Sequence, residues 1–70
     1  MIIVDRAYGE WVTRERCRRA WTRRDLARRV GIGWKTVEQV ERGLLLDERF
    51  RRDIDRAFDR APVIRRRFRG

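Results

Sequence analysis

Between Arg23 and Arg42 two short amphipathic runs are separated only by Val30-Gly31-Ile32-Gly33, and this tight join restricts the fold more than any other stretch. Leu26, Ala27 and Val30 recur at helical spacing before it, Val37 and Val40 after it. Thr22 can cap the first run, with Asp25 three residues later closing a capping box. Trp21, ahead of that cap, can pack back on Leu26 as a hydrophobic staple. Gly31 can take the left-handed conformation that ends a helix, in a turn expected to be too cramped for a Cβ. Gly33 is a permissible cap for the next run, and Gly43 stops it. The spacing predicts helices over 23–30 and 34–42. Ala27 is small where they cross, and Leu26, Val30, Ile32, Val37 and Val40 fill the wedge between them.

The flanking segments read as follows. Residues 1–4 are β-branched and predict a short strand that needs a sheet partner. Residues 7–20 predict a helix with Tyr8, Trp11, Val12 and Ala20 on its apolar face and with Glu15 and Arg16 in mid-stripe, where Arg stems can cover the core. Leu44-Leu45-Leu46 is an apolar connector. Asp47 can cap a helix over 48–61, whose Phe50, Ile54, Ala57 and Phe58 make a buried stripe, and Pro62 ends it. Residues 62–70 are a basic tail, within which Val63 and Ile64 can open a second strand.

Seventy residues suffice for one domain with a thin core, so a partner subunit is expected to supply part of the stability. Charge is the first pointer to function. Lys and Arg total 20 against 11 Asp and Glu, a net charge of +9, with a pI near 11.6. A chain this basic meets a polyanion, nucleic acid before an anionic membrane or an acidic protein. Lys35 is the only lysine, and Ser, Asn and His are absent, which reads as GC-rich coding in a bacterium or its phage. The single cysteine, Cys17, cannot close a disulfide within the chain and reads as a small packing residue. With no His, neither a Cys–His pair nor a zinc site of the usual ligand count can form. No apolar run is long enough for a membrane span, and Met1–Val4 is too short for a signal peptide, so a cytoplasmic, nucleoid-associated protein is expected.

Trp21-Thr22-Arg23-Arg24-Asp25-Leu26-Ala27-Arg28-Arg29-Val30-Gly31-Ile32, followed by Thr36-Val37-Glu38-Gln39-Val40-Glu41-Arg42-Gly43, resembles the XRE family of lambda-repressor-like and Cro-like helix-turn-helix proteins. The likeness spans roughly residues 12–58. Leu26-Ala27, Gly31-Ile32 and Val40-Glu41-Arg42-Gly43 are its most specific pieces. It implies a mainly α fold, a compact bundle of four to five helices with room for short N- and C-terminal strands, together with DNA binding and, often, dimerisation. Gly33 stands where the family commonly has Ser, so side-chain capping of the second helix is lost. Glu15 stands where the family's first helix usually carries an apolar residue. A strand before the first helix is similar to the layout of short phage Cro proteins.

If Val37 and Val40 point inward, Lys35, Glu38, Gln39 and Arg42 form an outward stripe at i, i+3, i+4 and i+7. Arg42 or Lys35 suits guanine O6/N7, Gln39 suits adenine, and Glu38 suits the cytosine amino group. Thr22 and Arg23 lie at a helix N-terminus, where the dipole favours a phosphate, and the resemblance places a phosphate contact there too. Arg24 and Arg28 are weaker phosphate candidates. Gly33, Trp34 and Thr36 complete the DNA-binding set at the start of the reading helix. Trp34 either touches a thymine methyl or sugar or packs over a neighbouring helix.

The expected function is sequence-specific binding of double-stranded DNA by a phage- or prophage-type regulator, Cro- or repressor-like, acting as a homodimer with no cofactor and no small-molecule ligand. An excisionase-like or architectural factor and an antitoxin-type autorepressor fit the same residues. A protein-interaction module that has lost DNA binding is the alternative of another class. The tail at 65–69 is a solvated end or a minor-groove arm, or else Val63-Ile64 ahead of it pairs with Ile2-Ile3-Val4, bringing the chain ends together or joining two subunits. An enzyme is not expected, since the chain lacks His, Ser and a second Cys and is too short for a deep pocket.

Overall fold

A computed structural model describes residues 3–45 and 47–63. Among these the order is β1 (Ile3–Val4), α1 (Arg6–Arg18), α2 (Arg23–Val30), α3 (Trp34–Glu41), β2 (Leu44–Leu45) and α4 (Glu48–Arg60). The protein is a mainly helical bundle, as expected.

Helices α1, α2 and α4 each start on a residue whose side chain satisfies a free N–H group. Asp5 accepts from Tyr8 N at 3.0 Å to open α1, and Asp47 accepts from Arg49 N at 2.9 Å to open α4. Thr22 and Asp25 form the reciprocal box that opens α2, with Asp25 N donating to the Thr22 hydroxyl at 3.0 Å and Thr22 N to the Asp25 carboxylate at 2.8 Å. Gly33 opens α3 with no side-chain bond. A Cβ built on Gly33 meets nothing within 4 Å, and its φ of −73° suits any residue. Gly33→Ser is therefore expected to stabilise by about 0.5 kcal/mol, adding a cap and removing unfolded-state freedom. A urea melt with an unchanged m-value checks this.

Arg42 and Ala61, expected as last helical residues, instead cap α3 and α4, and two further helix ends depart from expectation in their chemistry. Ala20 lies outside α1, exposed and left-handed at φ 56°. Ala20 N donates to Cys17 O at 3.0 Å and Trp21 N to Arg16 O at 3.1 Å. This pair of bonds closes a Schellman turn with Ala where Gly is usual, so Ala20 leaves the apolar face. Gly31 is left-handed as expected, at φ 85°, but open space surrounds the position of its missing Cβ. Backbone conformation alone, not crowding, calls for glycine there.

β1 pairs antiparallel with β2, Ile3 opposite Leu45 and Val4 opposite Leu44. Leu44 and Leu45 are thus a strand rather than a connector. Its partner is fixed by Gly43, whose φ of 92° brings the chain beside Asp5, and Asp5 N donates to Gly43 O at 2.8 Å. Val63 lies in no strand, and the expected continuation over 64–70 lies outside the described residues.

The core is Val12, Leu26, Ala27, Val37, Val40, Ile54, Ala57 and Phe58, ringed by half-buried Tyr8, Trp11, Trp21, Val30, Ile32 and Phe50. Phe58 is its aromatic hub. Trp11 meets it edge-on at 5.4 Å between ring centres, and Trp21 stacks on it at 5.9 Å. Trp21 is accordingly held by α4, with the Arg29 guanidinium 4.1 Å above its ring, instead of serving only as a staple on Leu26. Cys17 is exposed, not packed, because it lies off the face of α1 that carries Val12.

Arg19 joins the far ends of α1 and α4. It donates to Ala61 O at 2.6 Å and Phe58 O at 3.2 Å, satisfying carbonyls at the end of α4. Mid-α1, Gly9 is buried against α3, and a Cβ there would lie 2.5 Å from Val40 O.

Candidate nucleic-acid interface

α3 is positioned by its inward residues. Val37 is fully buried and Val40 nearly so, which turns the opposite face of the helix to solvent. Lys35, Gln39 and Arg42 are exposed on that face, and Glu38 and Thr36 are half-buried. The stripe predicted at i, i+3, i+4 and i+7 is therefore brought together, with its one carboxylate set deeper than its neighbours.

Beside it, Thr22, Arg23 and Arg24 at the start of α2 are exposed. The capping box uses the N–H groups of Thr22 and Asp25, which leaves the first N–H groups of α2 as the positive end of its dipole. Asp25 is held below the ordinary aspartate range by the Thr22 backbone bond and then by Arg28, so it stays charged and restrains Arg28 at 2.7 Å.

Trp34 stands between the two helix starts. Unlike Trp11 and Trp21 it is not packed on the core, and it is 39% exposed. Arg24 and Lys35 approach its ring at 5.7 and 5.9 Å. Open grooves flank it. One of about 550 Å³ is lined by Arg24, Ala27, Arg28, Ile32, Gly33 and Trp34. The other, of about 490 Å³, is lined by Arg16, Thr22, Arg23, Arg24 and Trp34. Arg24 and Arg28, one helical turn apart, thus belong to the same surface as the reading face.

A part-buried ion network holds this surface to the core. Glu41, whose side chain is 3% exposed, accepts from Arg16 Nε at 2.7 Å and Arg23 Nε at 3.1 Å. Burial pushes its carboxyl pKa up, but the hydrogen bonds from Arg16 and Arg23 outweigh this, and the net shift is downward. The bond from Glu41 in turn strengthens the protonated form of Arg16. Arg16 also donates to Trp21 O at 2.9 Å. α1, α2 and α3 are joined through one carboxylate. Sequence reading gave Arg16 only a covering role, because its partner lies 25 residues away.

Glu38 is shared as well, 3.4 Å from Arg42 and 3.9 Å from Arg23. Among the described residues no cluster of three or more His, Cys, Asp or Glu could hold a metal, and no helix is long and apolar enough to cross a membrane. Comparison of the chain with protein-family models, curated proteins and solved structures returned no match.

Proposed function

We propose that residues 23–42 are a helix-turn-helix of the XRE type and that the protein is a sequence-specific DNA-binding regulator, Cro- or repressor-like, that lays α3 in the major groove. The observation that carries this reading is the division of α3. Val37 and Val40 enter the core while Lys35, Gln39 and Arg42 are exposed to solvent, beside a basic margin from α2. In a groove, Arg42 and Lys35 address guanine and Gln39 addresses adenine. Arg23, Arg24 and Arg28 neutralise phosphates, and Trp34 presses on a sugar or a thymine methyl. The reading places the protein with the DNA of a bacterial cytoplasm.

Eight residues of α3 are about 12 Å long and span few base pairs. Two copies on half-sites about one helical turn apart supply the remaining specificity. Selection of bound sites from random duplex DNA is expected to return an inverted repeat.

Affinity should fall with salt at a log–log slope of about −0.9 for each neutralised phosphate. Arg42→Ala is expected to lose about 1–3 kcal/mol of discrimination at one base pair, while Arg24→Ala weakens all duplexes alike and flattens the slope by about 0.9. Fluorescence anisotropy across a salt series reads both. An affinity for duplex DNA that is absent at low salt, or indifferent to salt, would overturn the reading.

A further inference from the structure

Glu38 is the one carboxylate that α3 turns toward solvent, since the other, Glu41, is 3% exposed and held by two arginines. Its oxygens are divided between two cations of the candidate interface, Oε1 at 3.4 Å from Arg42 and Oε2 at 3.9 Å from Arg23. Glutamate four residues ahead of arginine is the favourable order on a helix. Both separations are long, and the Arg42 side chain is 72% exposed. Such pairs are weak and readily exchanged for a stronger acceptor.

Building on the DNA-binding reading, we propose that Glu38 is a counter-ion that withholds Arg42 from DNA, and that it sets the margin between a preferred site and any other duplex. When a phosphate draws Arg42 away, the Glu38 carboxylate is left facing a polyanion with one cation fewer. A mixed sequence returns nothing for that repulsion. A site that offers guanine to Arg42 and a cytosine amino group to Glu38 satisfies both side chains at once. Discrimination then comes from a repulsive element against wrong sites as much as from attraction to the right one.

The test compares wild type, Glu38→Gln and Glu38→Asp on two labelled duplexes of about two helical turns, one of mixed sequence and one recovered by selection with wild type. Glu38→Gln keeps the shape of the side chain and removes its charge. It is expected to bind the mixed duplex roughly five-fold tighter, with a salt slope steeper by about 0.9, the gain for one added phosphate contact. Affinity for the selected duplex changes less, so the ratio between the two falls. Glu38→Asp, which keeps the charge but draws it back from Arg42, is expected to gain less on the mixed duplex than Glu38→Gln does. Unchanged affinity and slope for Glu38→Gln, or an equal gain for Glu38→Asp, would overturn the counter-ion role. Failure of wild type to bind either duplex would instead overturn the DNA-binding reading on which this one rests.

Discussion

Glu41→Ala is expected to remove a large share of the protein's stability. The substitution strands Arg16, whose side chain is 13% exposed, with only the Trp21 carbonyl as acceptor. Orphaning one partner of a fully buried ion pair costs about 3–5 kcal/mol; this pair is part-buried, so its cost falls below that range, against a single core that in a chain this short rarely supplies more than about 3–5 kcal/mol in total. Arg23, nearly half exposed, finds water and adds little. The loss comes from the unpaired guanidinium, so Arg16→Met combined with Glu41→Leu should recover most of it, as apolar replacement of whole buried pairs does elsewhere. Circular dichroism and urea melts of both single variants and the double variant separate the terms. A Glu41→Ala protein that melts like wild type would show that the network contributes nothing.

The same residue contributes to acid sensitivity. The folded-state pKa of Glu41 lies below its ordinary value, so the unfolded chain binds more protons between the two values. The contribution is complete above the unfolded pKa, near 4.3, and disappears as pH falls through the lower, folded one. Glu15, Asp25 and Asp47 are shifted the same way and add to the loss in that window. Glu41→Gln is expected to be less stable than wild type at neutral pH, with the gap narrowing below about pH 4.

Gly9→Ala is expected to destabilise by about 2 kcal/mol, against the direction that helix propensity alone dictates. Alanine in mid-helix gains about 1 kcal/mol over glycine. Here the new Cβ would sit 2.5 Å from Val40 O and 2.7 Å from Glu41 O. Restoring ordinary contact at 3.4 Å requires α1 to retreat by roughly 0.9 Å from α3. The obstacles are backbone carbonyls that cannot rotate away, which places the overpacking cost near the top of its usual range, about 3 kcal/mol. The net loss corresponds to a Tm lower by roughly 8–16 °C. Glu10→Ala, on the exposed side of the same turn, should stay within about 0.5 kcal/mol of wild type. A Gly9→Ala variant more stable than wild type would show that α1 and α3 are not in backbone contact.

Much of this molecule is legible in its linear order. The Thr22–Asp25 box, the left-handed Gly31 and the Phe50, Ile54, Ala57 and Phe58 stripe all rest on residues within two turns of each other. Short-range spacing expresses such features directly. The outward stripe of α3 followed in the same way from Val37 and Val40. Two misplaced features are local as well, but residue type conceals them. Ala20 was assigned to a helix that ends before it, since alanine carries no mark of a left-handed turn. Cys17 was assigned to the interior by residue type although it stands exposed.

Local chemistry thus determined where the helices start, which faces are apolar, and that a strongly basic surface surrounds a tight two-helix turn. Only the assembled structure decided that Gly9 touches α3, that β1 takes Leu44–Leu45 as its partner, that Trp21 rests on Phe58, and that Glu41 joins Arg16 to Arg23. Those choices depend on which distant surfaces meet, and a helix or strand carries no local signal for the element that will lie against it.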